Sequence, residues 1–241
     1  MKAQRGPTFL LRLTGELVVI VLGILIALWL NNWNEERKEA AHEGEYLEGF
    51  LTDLTADSAN LAFRVIIADR GIEAADRLLE LKADGGSTAP SDTLAHWFFH
   101  AAFVDNFQVL DHTYREILRG GGLALIRNDD LRRQITEYYR KMESAEFFNR
   151  YWVQEEIDYF DYLEARLPFA AYTAITRVQE DASPPPFDAV RTLAILRDDD
   201  RLANSLLSNR HWAVLRRDIA HRRGQRNATL RAAVSAELEQ R

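Results

Sequence analysis

His96 and His100 stand four residues apart, a spacing that puts two imidazoles on one side of a helix, where they can grip a transition metal. No carboxylate or cysteine is placed to complete a ligand set, so the ordinary reading is a pair of partly buried histidines. Glu39 and His42 form one Glu-x-x-His, whereas a di-iron bundle needs two such pairs and two more glutamates. Glu155, Glu156, Asp158 and Asp161 make an acidic patch that suits either a cation or a solvated helix face. Gly120-Gly121-Gly122 lacks the Lys-Ser/Thr of a phosphate loop and follows a helix, so it reads as a cap. No Gly-x-Ser-x-Gly elbow and no His-Glu-x-x-His is present. The sequence therefore names no catalytic residue, no metal site and no cofactor.

Glu16 is the most suggestive single residue, because it sits about one turn inside the most apolar run of the chain, where an ionisable group is costly. That run, Leu17 to Leu30, has no charge and no proline. Counted from Leu13 to Trp33 it has 21 residues and, at about 1.5 Å each, roughly matches the 30 Å hydrocarbon core of a bilayer. It ends in Asn31-Asn32-Trp33 rather than in the small residues of a signal cleavage site, which favours an uncleaved anchor. On a helix, Arg12, Glu16, Gly23, Ala27 and Asn34 share a face, and Gly23 with Ala27 is a small-xxx-small pair that lets two membrane helices approach. Two readings fit Glu16. It locks an oligomer interface, or it snorkels to the surface and pairs with Arg12 on its own helix.

Lys2, Arg5 and Arg12 precede the run, and Glu35-Glu36-Arg37-Lys38-Glu39, with a net charge of minus one, follows it. The positive-inside rule then predicts a single-pass protein of the cell inner membrane: residues 1–12 cytoplasmic, 13–33 spanning the bilayer and 34–241 exported to the periplasm. The 241 residues contain no cysteine and are 47% apolar, so packing rather than disulfides must hold the exported part together. Residues 34–200 carry a net charge of minus fifteen and 201–241 of plus six. An acidic exported middle argues against nucleic acid as a partner.

Leu47, Leu51, Leu54, Ser58, Leu61, Val65, Ala68, Ile72, Ala75 and Leu79 alternate steps of four and three, a heptad seam on one long helix running to about Lys82. Gly44 and Gly49 are candidate bends. After the Gly85-to-Pro90 loop, Ser91 or Asp92 is placed to cap an aromatic helix, and Asp111 a brief one over 112–118. Asn128-Asp129-Asp130 opens a second long helix to about Leu167, burying Leu131, Ile135, Tyr138, Met142, Ala145, Trp152 and Tyr159. Ser183-Pro184-Pro185-Pro186 is a hinge, and Asp198-Asp199-Asp200 caps a last long helix carrying Leu202, Leu206, Leu215, Ile219, Leu230, Val234 and Leu238. The predicted fold is all-α, one N-terminal transmembrane helix followed by an exported bundle of long helices. Arginines 210, 216, 217, 222, 223, 226 and 231 on the last helix meet either anionic lipid or cell-envelope polymer, or the acidic middle of their own domain. The aromatics between Phe147 and Tyr162 line a ligand pocket or fill the core.

Gly15-Glu16, Val18 to Ile26, Ala27-Leu28 and Asn31-Asn32-Trp33-Asn34-Glu35-Glu36, with a second block at Thr113-Tyr114, Gly121-Gly122-Leu123, Leu125-Ile126, Asn128, Leu131 and Tyr138-Tyr139, resemble an uncharacterised family of bacterial single-span membrane proteins. The resemblance covers about a third of the chain. It implies membrane topology and a helical fold and transfers no catalytic residue.

Three function classes follow. The first is a membrane-anchored helical interaction or scaffold protein that self-associates, with the lipid bilayer, a second copy and a cell-envelope protein as its partners. The second is a periplasmic ligand-sensing domain, and the third a periplasmic enzyme.

Overall fold

The computed structural model describes residues 7–85, 88–105, 108–120, 122–143, 146–177 and 185–240, with side chains from Glu16 onwards except those of 143–148. Among the described residues the chain is helical, with no strand. The described helical segments are, in order, α1 (Pro7–Asp84), α2 (Ser91–His100), α3 (His112–Arg119), α4 (Asp129–Glu143), α5 (Glu146–Arg166), α6 (Phe169–Thr176), α7 (Ala189–Asp198) and α8 (Asp200–Glu239). One 3-10 turn, Leu123–Leu125, links α3 to α4.

The apolar run continues into the heptad region without a break, as one 78-residue helix. α8 packs antiparallel along it: Asn227 Nδ2 donates to Leu54 O, Arg217 pairs with Asp69, Arg210 with Asp76 and Lys82 with Asp200, so positions climbing α1 meet positions descending α8. The acidic middle thus neutralises Arg210 and Arg217 within the chain.

The seam on α1 is rotated from the one its apolar residues mark. Leu47, Leu54, Leu61, Ala68 and Ala75 are buried as expected, but Leu51, Ser58, Val65, Ile72 and Leu79 are only half-buried. Their places are taken by the buried Phe50, Asp57, Gly71 and Leu78, one residue earlier in each case, and Arg64 in the same phase is intermediate, its side chain 11% exposed. On α8 the matching seam is Leu202, Leu206, Asn209, Ala213, Ala220, Arg223, Asn227, Leu230 and Val234, while Leu215, Ile219 and Leu238 are half-buried. Both helices keep the 4-3 spacing of a coiled coil and place polar side chains in the contact. Because α8 and the short helices cover this seam, it is an intramolecular surface.

Apolar burial collects in two clusters. The one nearer the apolar run joins Leu47, Phe50, Leu54 and Leu61 of α1 to Ile117, Ile126, Leu131, Ile135, Tyr138, Tyr139 and Met142, closed by Leu230 and Val234. The far one joins Ala74 to Leu81 with α2, α6, α7, the end of α5 and the start of α8. Gly49 is no interruption: a Cβ there would lie 2.8 Å from Thr113 Oγ1, so its bareness lets α3 approach α1.

The second long helix is described on either side of 144–145 (and so of Ala145), which lie outside the described residues, as α4 and α5; Leu131, Ile135, Tyr138, Met142, Trp152 and Tyr159 are all buried. Asn128 Oδ1 accepts from the amides of Asp130 and Leu131, and Asp199 Oδ1 from that of Leu202, as N-caps should. Ser91 and Asp92 do not cap α2, whose N-cap is Pro90. Asp111 holds the N-cap position of α3, but its carboxylate bonds Arg115 Nε at 2.6 Å instead of a backbone amide. Of the glycine triplet, Gly122 has φ 86° and ψ 173°, a region only glycine occupies readily, and Gly121 lies outside the described residues.

Candidate functional site

The side chains of Leu17 to Leu30 are exposed, and the apolar window that contains them has no part buried against the protein, so α1 is long and apolar enough to cross a membrane. Apart from its chain neighbours and the adjoining backbone of its own helix, Gly23 has no atom within 4 Å of the position a Cβ would take. At about 100° per residue, the face of Gly23 and Ala27 lies roughly opposite the seam that holds α8. Arg12 is on the helix, but its side chain falls outside the described residues, as do those of Phe147 and Phe148.

A polar layer separates the two apolar clusters. Asp57, without measurable exposure, accepts from Leu110 N and from Tyr138 Oη, both at 3.0 Å. Asn227 Nδ2 donates to that same Tyr138 oxygen at 3.1 Å. Alongside sit Arg64, Arg216 and Arg223, around a cavity of about 20 Å³ walled by Trp152, Ile67 and Ala220. Arg64 reaches Asp105, and Glu156 accepts from Val104 N at 3.3 Å and lies near Arg216. Burial lowers Arg64 and Arg216 to about 10, which leaves both charged at neutral pH. Burial pushes Asp57 up to about 6, against the lowering effect of its two hydrogen bonds, and Glu156 up to about 7.

Both carboxyls hold a proton more tightly in the folded chain than their ordinary values near 4 allow in the unfolded one. Folding therefore takes up protons between about pH 4 and 7, and stability falls as pH rises through that window. Asp57→Asn keeps an acceptor for Leu110 N–H and removes the ionisable group. Urea unfolding of the full chain in detergent should then show a shallower decline from pH 5 to 8 and greater stability than wild type at pH 8. An unchanged pH profile would exclude Asp57 as its source.

The residues whose types suggested chemistry are dispersed. His96 is exposed and its ring lies 6.1 Å from that of half-buried His100, which burial lowers to about 4. Glu39 lies 4.0 Å from Arg127, while His42 faces Glu45. Among the described residues no three His, Cys, Asp or Glu side chains form a metal cluster. The acidic patch divides: Glu156 turns into the polar layer, while Glu155 and Asp158 line an open cleft against α8. Trp152 and Tyr159 are core, whereas Tyr151 is exposed. The layer itself went unread because Asp57, Arg64, Arg223 and Asn227 are polar. Their 4-3 spacing from the buried leucines was the signal available.

No curated protein and no solved structure matches the chain. A family of unknown function, DUF6090, matches residues 16–157. That stretch takes in α1 from Glu16 onwards, the near cluster apart from Leu230 and Val234, with its stacked Tyr114 and Tyr139 rings (4.4 Å apart), and the part of α5 that enters the polar layer; α8, the partner of α1, lies beyond it. Since the match covers more than half of the sequence, the chain belongs to the DUF6090 family of unknown function.

Proposed function

We propose that this is a single-pass inner-membrane protein, with residues 1–12 cytoplasmic, 13–33 in the bilayer and 34–241 a periplasmic helical domain, serving as a scaffold that self-associates in parallel along α1. The observation that carries the reading is the unbroken α1 with two opposite faces. One is occupied by α8. The other bears Gly23 and Ala27 in the apolar region, Asn34 just past it and the exposed Phe63 and Ile66 beyond. From Gly23 to Ile66 the helix turns back to within roughly 20° of its starting direction, so these side chains form one line. Arg12 and Glu16 fall on the same line by register. A helix with no other span in this sequence to pack against, and small residues on a free face, suits a second copy.

The two carboxyls with the most raised pKa values are bonded to backbone amides inside the packed layer rather than offered in an open cleft, which supports a scaffold over an enzyme. The flanking charges supply the orientation. Alkaline phosphatase, active only after export, should be active when fused after Arg241, and a reporter that works only in the cytoplasm should be silent there. The reverse pattern would overturn the exported assignment.

A further inference from the structure

We propose that the cleft between α4 and residues 222–230 of α8 binds a small organic phosphate monoester. The two helices run antiparallel here, since Asn128 Nδ2 donates to Glu237 and Asn227 Nδ2 to Tyr138 Oη. Facing rows line the cleft: Gln134, Glu137 and Lys141 on α4, and Arg222, Gln225 and Arg226 on α8, each spaced by the three- and four-residue steps of one helix face. Between them lies a space of about 400 Å³, within the roughly 300–1,000 Å³ of ligand pockets.

Charge selects the ligand. The walls carry three cations, Lys141, Arg222 and Arg226, against one carboxylate, Glu137, a local excess of positive charge on a chain whose formal net charge is minus seven. Glu137 accepts from Lys141 Nζ, which holds its carboxyl below the ordinary range, with a further contribution from Arg226. Among the described residues Arg222 and Arg226 have no carboxylate within 4 Å. The neighbouring cleft along α4, which shares Glu137, is basic too, but there Arg132 pairs with Asp129 and Arg133 with Asp130. The fold neutralises those arginines and leaves Arg222 and Arg226 open to a ligand.

Two guanidinium forks one helical turn apart suit an oxyanion group with two charges and three acceptor oxygens, which a phosphate monoester supplies near neutral pH. A metal ion or an ammonium is repelled. The rest of the space suits an organic body. The buried Leu230 and Tyr138 give it apolar contact, the Tyr138 hydroxyl being engaged by Asp57, and the Gln134 and Gln225 amides can each donate and accept. Asn227, level with the cleft, bonds Leu54, about 36 Å along α1 from Leu30 at 1.5 Å per residue. A lipid packed around the apolar run does not reach that far, so the ligand arrives from solution.

The site depends neither on self-association nor on the side of the membrane. Its test titrates the full chain, in a neutral detergent and phosphate-free buffer, calorimetrically with D-glucose 6-phosphate and phenyl phosphate, and with D-glucose, inorganic phosphate, succinate and putrescine as contrasts. At least one monoester should saturate in the sub-millimolar range and bind more tightly than inorganic phosphate, which leaves the apolar walls uncovered. Raising sodium chloride from about 50 to about 500 mM should weaken the interaction. Arg222→Gln and Arg226→Gln should each weaken it about tenfold or more with the thermal midpoint unchanged, since both side chains are exposed. Arg133→Gln, an equal loss of charge in the neighbouring cleft, should leave the affinity as it is. No saturation by either monoester up to about ten millimolar, equal affinity for inorganic phosphate or D-glucose, saturation by succinate or putrescine alone, an equal loss in Arg133→Gln, or an affinity untouched by Arg222→Gln and Arg226→Gln would each overturn the proposal.

Discussion

Phe50→Ala is expected to destabilise the chain by about 3–5 kcal/mol, whereas Leu51→Ala, one position along the same helix, costs about 1 kcal/mol. Phe50 has no exposed surface and packs against Tyr139 with ring centres 6.0 Å apart, in the cluster that also holds Leu47, Leu54 and Ile135. Truncation removes a ring from a closed interior and leaves a cavity whose lining loses its contacts. Leu51 lies at the edge of that cluster, and water replaces much of what its truncation removes. The contrast reads the phase of the α1–α8 contact directly. Urea unfolding of the full chain in micelles, followed by tryptophan fluorescence, gives both values. Equal losses would return the seam to the phase marked by its apolar residues and would displace α8 around α1.

A single cysteine in place of Ile66 is expected to convert most of the membrane-bound protein into a disulfide-linked dimer, visible on a non-reducing gel. The chain has no cysteine of its own, so the signal comes from the introduced thiol alone. A disulfide needs Cα atoms within about 7 Å, a distance reached when the outer faces of two parallel α1 helices meet. Leu207→Cys, exposed on α8, should stay monomeric. Adding Gly23→Ile to the Ile66→Cys chain inserts bulk where the two spans approach and should sharply reduce the dimer, while Leu25→Ile should not. If Ile66→Cys and Leu207→Cys cross-link alike, or neither does, association along this face fails. If Gly23→Ile leaves the dimer intact, the span is no part of it.

Helix existence was legible wherever apolar residues recur, since an amphipathic helix in water advertises its buried side. The phase of α1 was not, because the closest contact is filled at Asp57 and Arg64 by polar side chains whose partners come from far along the chain: Leu110, Tyr138, Asp105. No local pattern announces that a loop amide will accept burial beside a carboxylate. Caps divided on similar grounds. Asn128 and Asp199 face free amides and behave as their types predict, whereas Asp111 has Arg115 four residues on and takes the charge instead. α6 and α7 are too short to show a period, and α6 begins directly after Pro168. At the candidate sites, Glu155, Glu156 and Asp158 were visible as an acidic patch, but the turn of Glu156 alone into the polar layer shows only once α5 is laid beside Val104 and Arg216.

The absence of any joint in α1 has a mechanical consequence. From Asn34 to Asp84 the helix extends about 75 Å at 1.5 Å per residue, clamped along its upper part by α8. With the apolar run seated in a bilayer, the whole assembly is a stiff lever whose short arm is the membrane helix. A 10° change in tilt, half the mean inclination of spanning helices, swings the far end by about 13 Å. A quarter turn of the span rotates the distal cluster by the same quarter turn. So placed, a change in bilayer thickness, or a neighbour pressing on the exposed apolar side chains, would be converted into displacement several nanometres away without any rearrangement of the core.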